Sequence, residues 1–324
     1  MNDRTWHRDS VALAWSRRPG VGQKALREFI LAWPEDRDSP DFEVPSSQSW
    51  SAPNPDSAGA TREWESLVAV AEADLRAWSE QGIGWTTIRD ETYPALLRLI
   101  RNAPPVLYYR GDPTLFRQYP AIAVVGTRDP APISREIARR VSRYFAEHGF
   151  TIVSGLAKGI DTEAHKGALE ASGRTIAVYG TPLTKTYPAE NKQLALQIVD
   201  AGGLLVSEIP PGGGGGPHAF VQRDRIQSGL SAGVVAVQTS ADGGTMHTAR
   251  FADEQRREVL CPRLDETITS GPGFSGNREL IQQHRCVQFT RDDYPMLLAR
   301  LTQLTRSMAN ELVPEVAERD RPLF

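Results

Sequence analysis

The middle of the chain carries five short apolar runs: AIAVV (121–125), FTIVS (150–154), RTIAVY (174–179), GLLVSE (203–208) and GVVAVQ (233–238). Each is rich in β-branched residues, and each is too short for a helix. Helical patterns separate them; in the first, Ile137, Val141, Tyr144 and Phe145 fall on one face. Arg135, Arg139 and Arg143 fall on the opposite face, which reads as solvated surface. Near-continuous apolar strands alternating with amphipathic helices predict a mainly parallel sheet covered on both sides. Right-handed crossovers then give an α/β, doubly wound, Rossmann-like domain.

The flanks read differently. The first ninety residues are expected to be mostly helical, because Leu67, Val70, Ala71 and Leu75 repeat at helical spacing. Within them, 34–61 is rich in Pro, Ser and Asp and reads as a loop insert. After about residue 290 the pattern predicts one helix and a polar tail. The expected organisation is a helical N-terminal domain (1–90), a Rossmann-like domain (91–291) and a C-terminal helix with tail (292–324).

Composition narrows the function. The formal net charge of −3 gives no global signal for nucleic acid, so any anion site must be local. No apolar run approaches the roughly 18 residues of a membrane span. The N-terminus lacks the apolar core of a signal peptide, and a cytoplasmic location is expected. The two cysteines, Cys261 and Cys286, make no zinc pattern and no disulfide framework. No metal-ligand spacing, carboxylate pair or nucleophile with a base stands out, so neither a cofactor nor a catalytic residue is expected.

In an open parallel sheet, ligands sit beyond the carboxyl ends of the strands. After the first strand come Gly126, Thr127 and Arg128; after the second, Ser154, Gly155, Lys158 and Gly159. Small residues, hydroxyls, helix N-termini and single cations are the chemistry of a phosphate cradle. The competing reading is that these glycines only form tight turns. Asp161 is expected to cap the following helix, and His165 to be structural. His247 is a candidate cleft residue. Neither G-x-G-x-x-G nor G-x-x-x-x-G-K-[ST] occurs, which argues against a dinucleotide or P-loop site. The run Gly212–Gly216 reads as a slack connector with a lid as its alternative. Near the N-terminus, RPGVGQKALREFI resembles a helix-hairpin-helix, in which Gly20 and Gly22 offer backbone N–H groups to a DNA phosphate and Lys24 assists; an ordinary helix pair is the alternative.

Over roughly 80–290 the chain resembles the DNA-processing protein A family (DprA, also called Smf). The motifs that carry the resemblance are GIGWTTIRDETYPALLRLIRNAPPVLYYRGDP, VVGTRDP, SGLAKGIDTEAHKGALEASGRTIAVYGTPLTKTYPAEN, LLVSEIPPG, RDRIQSGLS, TARFADEQRREV and GNRELI, in that order. The resemblance implies a homodimer that binds single-stranded DNA and loads a RecA-type recombinase during natural transformation, with no catalytic reaction. It places the anion pocket on Gly126, Thr127, Arg128, Ser154, Gly155, Lys158, Gly159, Asn191, Arg223 and Arg225.

Four departures bear on that transfer. Arg223-Asp224-Arg225 stands where the family has Arg-Asn-Arg; the Pro-rich loop is poly-glycine; GGTMHTA differs from the usual loop; and no C-terminal winged-helix domain is expected. On a helix, Arg223 and Arg225 point apart, so one of them is expected to be structural. Alternatives from other classes are a nucleotide-ligand sensor using Asp242-Gly243-Gly244-Thr245, a phage-defence relative, and a nucleotide phosphoribohydrolase-like enzyme.

Overall fold

The computed structural model describes residues 3–18, 20–32, 58–117 and 120–310, with side chains from Arg8 and from Trp64 onward in the first and third stretches. Two compact units divide the chain: residues 1–91 with 104–106, and 92–103 with 107–324.

The smaller unit holds α1 (Asp3–Ser16), α2 (Gln23–Ala32), α3 (Ala58–Glu80) and β1 (Gly84–Thr87). Helix α3 starts inside the stretch read as a loop, so 58–61 are helical, while 34–57 lie outside the described residues. The short strand β1 likewise departs from the all-helical expectation. Apolar packing ties α1 to α2, with the Trp15 and Phe29 rings 4.5 Å apart. Buried Asp9 accepts hydrogen bonds from Trp85 Nε1 (2.6 Å) and Arg8 Nε (2.9 Å). Its carboxyl is pushed up by burial, and Arg8 works against that rise.

The larger unit begins with α4 (Ala95–Arg98) and β2 (Val106–Gly111). Next come β3 (Ala121–Val125), α5 (Pro132–Glu147), β4 (Thr151–Ser154), α6 (Ile160–Glu170), β5 (Thr175–Val178), α7 (Lys192–Asp200) and β6 (Leu204–Ser207). It closes with α8 (Pro217–Gly229), β7 (Gly233–Ala236), α9 (Thr245–Glu254), β8 (Glu258–Pro262), α10 (Glu266–Thr269), α11 (Ser275–Gln282), β9 (Val287–Phe289) and α12 (Tyr294–Asn310). All five strands expected from the apolar runs form. The sheet runs β2-β6-β5-β4-β3-β7-β8-β9, parallel except for the antiparallel β2–β6 pair. Strand β3 therefore pairs β4 on one side and β7 on the other, and the winding direction reverses there. That makes the β3/β7 border the topological switch point of a doubly wound, Rossmann-like sheet.

The core shows why the runs are continuous rather than alternating. Every residue of β3, β4, β5, β6 and β7 is buried, because helices lie on both faces of the sheet. Ile137, Val141 and Phe145 of α5, Ala164 and Ala168 of α6 and Leu297 and Leu301 of α12 join one cluster with Ile122, Ile152 and Val235. Helices α8 and α9 pack on each other and against β5, β7 and β8.

Helices α5 and α6 approach closely because α6 carries Gly167, where a Cβ would collide with the Arg139 carbonyl of α5. Gly167→Ala must push the helices apart at a cost of about 1–3 kcal/mol. The expected result is a melting temperature several degrees lower with an unchanged far-ultraviolet circular dichroism spectrum. An unchanged melting temperature would show that the contact gives without strain.

Candidate nucleic-acid interface

The loops that follow β3, β5 and β7, with the start of α8, enclose a cleft of about 760 Å³ at the switch point. Its walls include Gly126, Thr127 and Arg128 after β3, Thr181, Lys185 and Tyr187 after β5, and Thr239, Ser240, Gly243, Gly244 and Thr245 between β7 and α9. Arg223, Asp224 and Gln227 of α8 and Asp161 of α6 also line it.

The cradle residues expected from the sequence take different stations. Gly126, Thr127 and Arg128 line the cleft, and Arg128 is solvent-exposed. The Thr127 hydroxyl accepts the Asp129 N–H at 3.2 Å, and the Thr127 N–H donates to Gln238 O at 2.8 Å, so the loop is rigidly held. Gly159, at φ 79°, sits where a Cβ would lie 2.5 Å from the Thr127 carbonyl oxygen; it supports the same loop from behind.

Ser154, Gly155, Lys158, Asn191 and Arg225 are not among the lining residues. Ser154 is fully buried and donates to Val124 O at 2.7 Å. The Gly155 N–H points to Asp161 Oδ2 at 3.1 Å, and a Cβ on Gly155 would run into the Arg223 guanidinium. Glycine is required there to admit an arginine of the same chain. Asn191 Nδ2 donates to Leu156 O at 2.8 Å and to Thr162 Oγ1 at 3.0 Å, which pins the loop to α6. Lys158 Nζ lies 2.5 Å from Glu190 Oε1 in an exposed pair worth little. Its ammonium holds the Glu190 carboxyl below the usual carboxylate range.

The two arginines of α8 divide as the helical geometry requires. Arg225 forms a bidentate pair with Glu208, at 2.8 and 2.7 Å, and donates to Asn102 O at 3.0 Å. It is structural. Arg223 faces the cleft, but its NH1 donates to Gly155 O at 2.7 Å and Val178 O at 2.5 Å, and its Nε to Asp224 Oδ1 at 3.1 Å.

The expectation for Asp161 changes. Asp161 does not cap α6; Gly159 holds that position, and the Asp161 carboxylate accepts the N–H groups of Gly155 and Ala157 in the turn before the helix. His165 is buried on Thr175 Oγ1 at 2.7 Å, and burial, aided by Arg223, lowers its pKa to about 3. His247 stays outside the lining, and Gly215 and Gly216 of the poly-glycine run form part of the rim. In the smaller unit Gly20 adopts φ 85° at the turn before α2, and exposed Lys24 lies 3.9 Å from Glu28. Among the described residues no group of three or more His, Cys, Asp or Glu forms a metal site, and no helix is long and apolar enough to cross a membrane.

Residue reasoning missed Lys185, an exposed cation on the rim, while Asp224, marked in the sequence as a departure from the family's Asn, lies on the floor. Only the short spacing of Lys185 from the end of its strand could have marked it. The Asp224 carboxyl is pushed up to about 7 by burial, helped by nearby Asp161 and opposed by Arg223 and Arg128. The Gln227 amide fits with its nitrogen 3.1 Å from Asp224 Oδ1 and its oxygen 2.7 Å from the Gly155 nitrogen.

The sheet is Rossmann-like, and the cations and glycines at the mouth of its switch-point cleft have the chemistry that suits a phosphate-bearing ligand. The family model for DNA recombination-mediator protein A matches residues 84–302, and the chain belongs to that family. It is similar to the DNA processing protein DprA of Bacillus subtilis, 35% identical over 88% of this chain and 95% of that one. It is 43% identical to protein Smf of Synechocystis over 53% of this chain, a match that spans only 44% of that protein's length. Among solved structures, DprA of Streptococcus pneumoniae superposes with a TM-score of 0.64, at 26% identity over 91% of this chain and 96% of the other. DNA processing protein A of Helicobacter pylori, whose single-stranded DNA binding mode has been described, gives 0.59 at 25% identity over 68% and 96%.

The floor makes stability depend on pH in a defined way. The Asp224 pKa is raised from 3.8 to about 7, so its neutral form is favoured by folding. That contribution is complete below about pH 4 and is lost as the pH rises through 7, by at most about 4 kcal/mol. Buried His165 has the opposite slope below pH 6.5, so the parent's own profile is a sum of the two. The difference between Asp224→Asn and parent isolates the carboxyl. The variant should gain in melting temperature relative to parent between pH 4 and 7.5. A difference that does not change with pH would show that Asp224 ionises normally.

Proposed function

We propose that the chain binds single-stranded DNA at this cleft, as a non-catalytic DNA-processing protein. In that role it loads a RecA-type recombinase onto DNA taken up by natural transformation, acting as a cytoplasmic homodimer. The observation that carries the binding reading is the exposed pair Arg128 and Lys185 beside the glycine-rich start of α9, all on one cleft at the β3/β7 switch point. Cations and helix N–H groups hold phosphates through charge-assisted hydrogen bonds, independent of sequence. Tyr187, exposed on the rim with its ring 5.2 Å from that of Phe220, adds a surface on which a base can stack. From the family resemblance, single strands are expected to bind more tightly than duplex. Family membership and the described behaviour of the H. pylori relative support this reading. The homodimer and the recombinase rest on the family resemblance alone.

A second reading is binding of one free nucleotide, favoured by the cleft's volume. Competition separates them: a free mononucleotide at millimolar concentration should not displace a long strand held by several phosphates.

Titration of a labelled oligonucleotide at two salt concentrations tests the proposal. Arg128→Ala and Lys185→Ala should each weaken binding roughly tenfold to hundredfold and lower the salt slope by about one, with unchanged melting temperatures. Lys158→Ala should lose less, because Glu190 already neutralises that ammonium. Equal affinity of parent, Arg128→Ala and Lys185→Ala would remove the cleft as the binding site.

A further inference from the structure

The cleft is divided by charge. Its mouth has exposed Arg128 and Lys185, whereas its floor has two carboxyl groups, Asp161 and Asp224, against the single guanidinium of Arg223, whose Nε and NH1 donors are taken by Asp224, Gly155 and Val178. A phosphate suits the mouth and is repelled by the floor. What fits the floor is a neutral group that donates a hydrogen bond.

The two carboxylates differ in what they still lack. Asp161 accepts two backbone N–H groups, from Gly155 at 3.1 Å and Ala157 at 3.3 Å. Asp224 receives Arg223 Nε and the Gln227 amide, both on Oδ1. The cations that face it are Arg223 on its own helix and Arg128 on the loop after β3; Asp161 of α6 opposes them. Its side chain is 12% exposed, toward the cleft. An ionised carboxylate so placed is stabilised by any N–H donor brought to it.

Resting on the reading that a single strand occupies this cleft, we infer that Asp224 selects the base: with phosphate held at the mouth by Arg128 and Lys185, it accepts the exocyclic amino group of an inserted base. Bases that carry such an amino group, cytosine above all among the pyrimidines, are preferred over thymine, whose corresponding edge presents a carbonyl oxygen. Asparagine at this position has no such bias, because its amide donates as well as accepts.

Homopolymers test this, since every register then places the same base in the cleft. At pH 8, oligodeoxycytidine should bind about five- to tenfold tighter than oligothymidine of equal length. Asp224→Asn should level the two or reverse them. A measurement on the unaltered protein does not depend on how the variant folds: a strand of N4,N4-dimethyldeoxycytidine, stripped of its amino hydrogens, should bind like oligothymidine. Equal binding of oligodeoxycytidine and oligothymidine by the parent would overturn base selection while leaving strand binding in place. A preference that persists with the dimethylated base or in Asp224→Asn would overturn the role of Asp224. Binding of neither strand would instead defeat the strand-binding proposal, and base selection with it. Tighter binding of oligouridine than of oligodeoxyuridine, with no cytosine preference, would put a ribose hydroxyl on the floor and overturn the inference.

Discussion

The guanidinium of Arg223 is the part on which the rest of the site depends. It is almost fully buried, and its donors reach the carbonyl of Gly155 beyond β4, that of Val178 at the end of β5 and the carboxylate of Asp224 on α8. One charged group thereby joins two strand ends to the helix that crosses above them. Its removal would leave two carbonyls without that donor and two buried carboxylates, Asp161 and Asp224, without their nearest cation. Breaking a buried pair in this way costs on the order of 3–5 kcal/mol. Gly155 follows from the same constraint: a side chain there would occupy the guanidinium's place.

With Arg223 committed to the framework, the ligand must be met by other cations. In the proposed reading Arg128 and Lys185 supply that charge at the mouth; Gln238 and Gly159 support the Arg128 loop from behind, and Thr181 ties down the Lys185 loop. A chain with a net charge of −3 can in this way present a local anion site without being basic overall. The buried carboxylates are not at odds with that site. They lie deeper and, in the reading proposed above, restrict what enters beyond the phosphate.

Much of the fold was legible because each β-strand between residues 121 and 236 is buried on both faces, which leaves an uninterrupted apolar run of β-branched residues. Strand β2 was not, because it joins β6 antiparallel and its Tyr109–Gly111 end is only half-buried, which breaks the apolar run. The position of the site was legible too, since parallel sheets bind ligands beyond their carboxyl ends. The roles of single residues were less so. Ser154, Gly155 and Asn191 have the composition of a phosphate loop, yet their donors are spent on Val124, Asp161 and Leu156. Residue type reveals which groups can bond, but not which neighbours have already taken them. The opposition of Arg223 and Arg225 was readable from helical spacing alone. Which one faced the cleft was not, because that depends on Glu208, which lies on a different segment.

The central claim is that a single strand lies in the cleft at the β3/β7 switch point. Hydrogen–deuterium exchange of the whole chain, with and without a single-stranded oligonucleotide, tests it most directly. Amides of residues 126–129, 181–187 and 239–245 should slow on binding, while those of α12, outside the cleft, should not change. Protection confined to the turn around Gly20 and Gly22, with the three cleft loops exchanging as before, would contradict the account.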